Sequence, residues 1–436
     1  MAADYSYPQQ ITLSPPLKPI NASMRLPGSK SITNRALLLA SLADGESRLV
    51  APLHSEDTFY MASALRELGI SIIETPERDF AVTGRGGQFE TPTKTLLIGN
   101  SGTTVRFLTA AACFAPAGSD VTLDGIARMR ERPIRDLVGA LLTLGVDAEC
   151  LNGHGCPPVR VRGGGMKGGR CRLRGDVSSQ FLTALLQAAP YADSEVEIEV
   201  VGDLISKPYI DITQSVMASF GVELVNENYE RLRVPAGQRY GGREYAIEAD
   251  ASNASYFLAA AAVTGGTVTL ENLGTDSIQG DIRFLDVLEQ MGCTVSRGAS
   301  ITLTGPAQLR AINADMEAIP DMAQTLAVVA AFAESPSQIT NIGSLRVKET
   351  DRVRAIAKEL PKLGVHVAEG PSDWTITPPA DGIYTPDAID TYDDHRMAMA
   401  FAVAGLRVPN VVINNPGCVA KTFPDFWERW TGAFYR

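Results

Sequence analysis

The sequence predicts an α/β (α+β) protein of two domains, each made of three repeats with its helices inside and its sheets outside. Three observations carry this. An Ala-rich apolar helix pattern returns six times along 436 residues. A second helix, amphipathic and ending in glycine, is interleaved with it. Short β-branched runs follow both, so that helical and strand periodicities alternate throughout the chain.

The apolar unit starts at Ser31 (SITNRALLLASLADGESRLV), Ser101, Ser178, Ser252 (SNASYFLAAAAVTGGTVTL), Asp321 and His395, at intervals of 69 to 77 residues. Its helices are apolar nearly all round, as buried helices are. The second unit reads ASALRELGISI, GALLTLGVDAE, SVMASFGVELV, DVLEQMGCTVS and KELPKLGVHVA, with Gly69, Gly145, Gly221, Gly292 and Gly364 where a helix C′ residue often takes positive φ. These helices have polar faces, Arg66 and Glu67 for example, and belong nearer the surface. A sixth copy, DFWERWTG, ends at Gly432 with almost no chain left for its strand. The segment Gln10 to Ile20 precedes the first copy and has no repeat of its own. The simplest repair assigns that segment to the C-terminal domain. The domains then cover residues 28–248 and residues 1–27 plus 249–436. Two chain crossings, near Leu26 to Gly28 and near Ala246 to Ala249, make a hinge.

At 45% hydrophobic and 20% charged residues the composition is that of a soluble protein. No uninterrupted apolar run reaches the roughly 18 to 20 residues that span a bilayer. The start, MAADYSYPQQ, has neither a basic n-region nor an apolar h-region, and a cytoplasmic protein is expected. A net charge of −11 argues against nucleic acid or an anionic membrane as partner, but a local cationic pocket can still bind a small anion. The six cysteines (113, 150, 156, 171, 293 and 418) form no CxxC, and His54, His154, His366 and His395 lack ligand spacing. Free thiols and no metal site are expected.

Polar residues gather where the core helices begin. In Pro27-Gly-Ser-Lys-Ser-Ile-Thr-Asn-Arg35, Ser31 suits an N-cap and Arg35 follows it by one turn. Free amides, the positive helix end, a hydroxyl and two cations make an anion site, with phosphate the natural occupant. An ordinary capped helix with solvated cations fits this stretch equally well. Gly99-Asn100-Ser101-Gly102-Thr103-Thr104 is a second such entry, with Arg106 one turn in and Gly102 allowing close approach of a ligand. Ser178, Ser179 and Gln180 open a third, where two hydroxyls and an amide can cradle phosphate or sugar-like hydroxyls. Ser206-Lys207-Pro208-Tyr209 reads as a turn. Arg128, Arg130 and Arg132 stand just ahead of Pro133, a helix N1 residue, which is a poor place for cations unless an anion binds. In Arg346-Val-Lys348-Glu349-Thr-Asp351-Arg352-Val-Arg354, Lys348 and Arg352 repel at helical spacing. Glu349 and Asp351 either neutralise them as surface pairs, or an anion binds and Glu349 is an acid–base group. Asp321 is either a helix cap or a base in a cationic pocket. Asp393-Asp394-His395-Arg396 opens the sixth core helix, and Lys421-Thr422-Phe-Pro424 opens the last amphipathic one, with Thr422 as its cap. If the two halves face each other, their cleft takes a ligand with at least two anionic groups.

The stretches PGSKSITNRALLLA, GNSGTTVRFL, RMRERPIRDL, GDVSSQFLTALL, SKPYIDIT, RVKETDR, DDHRMAMAFA and AKTFPDF closely resemble the 5-enolpyruvylshikimate-3-phosphate synthase family of enolpyruvyl transferases, in that family's order and across nearly the whole chain. The resemblance implies a two-domain inside-out α/β barrel, each domain three βαβαββ units closing over substrates. It implies transfer of the enolpyruvyl group of phosphoenolpyruvate to the 5-hydroxyl of shikimate 3-phosphate, with release of phosphate and no metal or organic cofactor. By the same likeness Lys30, Ser31, Arg35, Ser178, Ser179, Gln180, Ser206, Asp321, Ser344 and Lys348 hold shikimate 3-phosphate. Lys30, Asn100, Gly102, Arg128, Gln180, Arg352, Arg396 and Lys421 hold phosphoenolpyruvate. Asp321 and Glu349 form the acid–base pair, assisted by Lys30. A monomer inhibited by glyphosate is expected, since Gly102 leaves room for that molecule.

Two residues depart from the family pattern. Ser344 stands where the family often has Asn, and Phe107 where many members have Pro. The sister transferase acting on UDP-N-acetylglucosamine differs more: its family has a loop cysteine in place of Arg128, and a Lys-Asn pair in place of Lys30-Ser31. A non-catalytic anion-binding repeat protein is the rival of another class, and it would show no turnover.

Overall fold

The computed structural model describes residues 5–435; residues 1–4, read above for targeting signals, and residue 436 lie outside the described residues. The chain separates into two compact units. One runs from Gly28 to Ile247, and the other joins the segment ending at Pro27 to the chain from Glu248 onward.

In the first unit the core helices are Lys30–Leu42, Gly102–Ala111 and Ser179–Ala188. Leu37, Leu38, Leu39 and Ala40 are successive and each 0% exposed, so a full turn of the first helix has no solvent face. Burying each leucine contributes about 1.5–3 kcal/mol. Polar side chains on these helices find one another: Asn34 donates to the Thr103 hydroxyl at 2.8 Å, joining the first and second. The second and third core helices are each the crossover between two parallel strands, which cannot be joined by a tight turn. Leu96–Leu97 runs parallel to Asp120–Asp124, which pairs antiparallel with Val159–Arg162, itself antiparallel to Ala148–Cys150. Gly169–Arg174, Val196–Val201, Arg231–Val234 and Val225–Glu227 repeat this βαβαββ order. The first repeat takes its opening strand from the far end of the unit, where Glu244–Ala246 lies parallel to Asp44–Val50.

In the second unit Ala251–Thr264, Ala323–Ala330 and His395–Ala404 pack against one another. The N-terminal segment contributes two strands here. Gln10–Leu13 pairs antiparallel with Val411–Asn414, in the place the sixth repeat leaves empty. Asn21–Met24 lies parallel to Thr267–Leu270 and opens the fourth repeat. Asn313–Asp315 does the same for the fifth, parallel to Ser337–Thr340.

Gly69, Gly145, Gly221, Gly292 and Gly364 all have positive φ, from 82° to 104°, as their C′ positions require. Gly432 does not end its helix but lies within Phe426–Phe434. All six cysteines are free. Two cap assignments change. The first core helix begins at Lys30 with Ser29 as N-cap, so Ser31 is inside the first turn. The last helix is preceded by Asp425, because Pro416–Lys421 is a separate 3-10 turn that ends just before Thr422. The Arg352–Glu359 helix begins after Asp351, whose carboxylate caps it by accepting from the Arg354 amide. Lys348 therefore precedes that helix and does not stack on Arg352.

Candidate active site

The first unit gathers cations at the entries of its core helices. Ser29 makes no side-chain cap bond, which leaves first-turn amides to a ligand. Lys30 Nζ lies 3.5 Å from Asp57 Oδ2, a carboxylate that is only 2% exposed. The hydroxyls of Ser101 and Thr104 reach the Asp57 carbonyl, so Asp57 ties the first helix entry to the second. Ser101 caps that second helix by accepting from the Thr104 amide. A Cβ on Gly102 would stand 2.5 Å from Arg106 Nη1 and 2.6 Å from Arg132 Nη2, so two guanidinium groups line this bare position in the turn. Arg132 donates to the backbone and side-chain oxygens of Asn100 at 3.0 and 3.1 Å. Arg106 donates to Gln180 Oε1 at 2.9 Å, which joins the second entry to the third. There Ser178 accepts from the Gln180 amide and Ser179 is buried. Ser206, at φ 56°, is buried ahead of the Pro208–Ser219 helix. Arg128 pairs with Glu131 at 2.8 Å and is partly exposed.

Arg35 is 1% exposed and donates only to neutral oxygens: Thr213 and Thr183 hydroxyls and the Ser31 and Tyr209 carbonyls. Burial pulls its guanidinium down to about 10, but it remains charged at neutral pH. Phe107, one of the two departures from the family pattern, is buried beneath it with its ring 5.4 Å from the guanidinium carbon, so this residue supports the cation.

The second unit holds an interlocked set of both charges. Asp321 is not a helix cap; it lies in the Pro320–Met322 turn, and its carboxylate meets Arg352 at 3.1 Å, Arg396 at 3.0 Å and Lys348 at 3.6 Å. Glu349 meets Arg352 at 2.9 Å and Lys421 at 3.7 Å. Buried Asp394 grips Arg352 through both oxygens, at 2.7 and 3.2 Å, and also accepts from the Arg396 amide at the start of its helix. Burial alone would lower the Arg352 pKa; the three carboxylates around it outweigh that and raise it. Burial drives His395 well below the ordinary histidine range, so its ring is neutral. Arg396 also donates to the Tyr256 hydroxyl at 3.3 Å. Ser344 is half-buried in the Gly343–Val347 turn that leads to Lys348.

The structure thus groups Lys30, Asn100, Gly102 and Gln180 in one unit, and Asp321, Lys348, Glu349, Arg352, Arg396 and Lys421 in the other. Residues outside both expected substrate sets also belong to these groups: Asp57, Arg106 and Arg132 to the first, Asp394, Tyr256 and Asp281 to the second. Asp281 is buried, accepts from the Ser252 hydroxyl, and is pushed up to about 6 by burial and by the nearby Asp321 charge. Among the described residues no group of three or more His, Cys, Asp or Glu could hold a metal ion.

A family model described as EPSP synthase (3-phosphoshikimate 1-carboxyvinyltransferase) matches residues 15–430. The 3-phosphoshikimate 1-carboxyvinyltransferase of Cupriavidus necator is 49% identical over 97% of this chain and 99% of its own length. The chloroplastic enzyme of Solanum lycopersicum is 49% identical over 97% of this chain and 84% of its own length. The solved EPSP synthase of Acinetobacter baumannii superposes with a TM-score of 0.81 at 27% identity, covering 98% of both chains. With the repeats, the cationic helix entries and these likenesses in agreement, the chain belongs to the EPSP synthase family.

Proposed function

We infer that this chain is a 3-phosphoshikimate 1-carboxyvinyltransferase: it transfers the enolpyruvyl group of phosphoenolpyruvate to the 5-hydroxyl of shikimate 3-phosphate and releases phosphate. The observation that carries the reading is a pair of carboxylates, Asp321 and Glu349, sharing Arg352 at 3.1 and 2.9 Å within a group of four cations. Acid–base chemistry needs such carboxylates, and two anionic substrates need such cations.

In the addition step the 5-hydroxyl oxygen bonds to the carbon that carries the donor's phosphate, and a proton is delivered to the methylene carbon. Asp321, a carboxylate kept ionised by the three cations on it, takes the hydroxyl proton; Glu349 supplies the proton to carbon, with Lys30 assisting. In the elimination step the ionised Glu349 takes back a proton from the methyl group, the C–O bond to phosphate breaks, and the departing phosphate takes the proton that Asp321 holds. Arg128, Arg352, Arg396, Lys421 and Lys30, with Asn100, Gly102 and Gln180, hold the phosphoenolpyruvate charges. Lys30, Ser31, Arg35, Ser178, Ser179, Gln180, Ser206, Asp321, Ser344 and Lys348 hold shikimate 3-phosphate. The cations are fixed by hydrogen bonds before the charge develops, which is how electrostatic preorganisation lowers a barrier.

The reading extends to a monomeric cytoplasmic enzyme that needs no cofactor and is inhibited by glyphosate. What supports the last point is Gly102, the bare position beside two guanidinium groups. The test is a coupled phosphate-release assay. Phosphate should appear only when both substrates are present, and UDP-N-acetylglucosamine should not replace shikimate 3-phosphate. Tight binding of either substrate without release would sink the reading.

A further inference from the structure

The turn that delivers Asp394 has a strained backbone. Tyr392 and Asp393 have φ of 53° and 54°, and neither is glycine. L residues rarely adopt this region, and two in succession persist only where the surroundings hold them there. The next residue is Asp394, which grips Arg352 and caps the sixth core helix, so a small shift of the turn would loosen both.

What holds the turn is one buried carboxylate. Glu359 is 0% exposed and ends the helix that Arg352 begins. Its Oε1 accepts from the Tyr392 hydroxyl at 2.6 Å, and its Oε2 accepts from the Asp390 amide at 2.8 Å. Lys362 neutralises it at 2.8 Å and reaches Asp390 at 2.9 Å. On the other side Thr391 donates to the Asn414 carbonyl and Asn415 donates to Asp393. A single helix therefore meets the turn at both of its own ends. Arg352 engages Asp394, and Glu359, about 10 Å further along at 1.5 Å per residue, engages Tyr392 and Asp390.

We propose that Glu359 and Tyr392 are positioning residues: together they clamp the left-handed turn and so aim Asp394, and through it Arg352, at phosphoenolpyruvate. The proposal rests on the reading of Arg352 as a group that holds this substrate. Neither residue touches the reacting atoms.

The test uses the full chain and the phosphate-release assay. Tyr392→Phe removes only the hydroxyl. It should raise the KM for phosphoenolpyruvate about tenfold, which is about 1.4 kcal/mol, while kcat stays within about threefold. Adding Asp393→Gly removes the left-handed penalty at that one position, though it also gives up the Asn415 bond, and should bring KM part of the way back towards the parent's. A purely structural hydroxyl would lower thermal stability without this rescue. Glu359→Gln, which keeps one acceptor, should raise KM in the same direction and carries the test if Tyr392→Phe does not fold. A parental KM in folded Tyr392→Phe, or a double variant no better than the single one, overturns the clamp. Arg352→Ala run alongside separates the two levels. A raised KM there beside a parental Tyr392→Phe overturns the clamp alone, and a parental KM there overturns the clamp and the reading beneath it.

Discussion

Replacing Asp281 by Asn should stabilise the protein, and by more as pH rises. The Asp281 carboxyl is buried and its pKa is raised from 3.8 to about 6, by burial first and the Asp321 charge second. A carboxyl that is harder to ionise folded than unfolded contributes fully below the unfolded pKa, and that contribution is lost as pH climbs through the folded pKa. The gap is about 2.2 units at 1.36 kcal/mol each, so the parent forfeits about 3 kcal/mol by pH 8 and only about 1 kcal/mol by pH 4.5. Asn keeps an oxygen to accept from Ser252 and carries no charge. At pH 8 the variant should melt roughly 6 to 12 °C higher, on the scale of a unit of about 200 residues. Near pH 4.5 the gain should shrink to about a third. Differential scanning calorimetry of both proteins across that range measures it. A gain that does not vary with pH would mean that packing, and not the buried charge, is responsible, and a loss of stability at pH 8 would refute the argument outright.

Further outcomes follow from the site. Glu349→Gln should lower kcat by about 10²–10⁴-fold with little change in KM, since it removes an acid–base group; loss of substrate affinity at normal turnover would point to a structural role. Lys30→Ala and Arg128→Ala should each abolish most phosphate release while circular dichroism and melting temperature stay near the parent's, and unchanged turnover in either would contradict its assignment. Gly102→Ala must displace Arg106 or Arg132, both buried and hydrogen-bonded. It should weaken glyphosate inhibition and raise the KM for phosphoenolpyruvate, and an unaltered inhibition curve would refute the steric argument.

The readable parts of this chain were those where one residue type has one reason to be present. A lysine or arginine at the entry of an all-apolar helix has no solvent face to explain it, so Lys30 and Arg396 stood out. Acidic residues at helix starts have an ordinary explanation as caps. Asp57 and Asp394 were hidden by it, though the first tethers Lys30 and the second orients Arg352. Asp351 shows the converse error: its capping signal was present, and taking it would have placed Lys348 outside the helix. Arg132 was lost in a run of arginines because nothing local says which of them turns inward. Asn21–Met24 contains no β-branched residue, and only its pairing with Thr267–Leu270 makes it a strand.

The way the N-terminal segment is used bears on how the protein is made. Gln10–Leu13 emerges from the ribosome some 400 residues ahead of its partner strand, Val411–Asn414. At about 5–20 residues per second that is a wait of roughly 20 to 80 seconds. The unit from Gly28 to Ile247 has all its strands in hand once Ala246 is translated, well before Val411–Asn414, and is free to fold then. Gln10–Leu13 meanwhile stays unpaired, and its edge is exposed to chaperones and to neighbouring nascent chains until Val411–Asn414 is out.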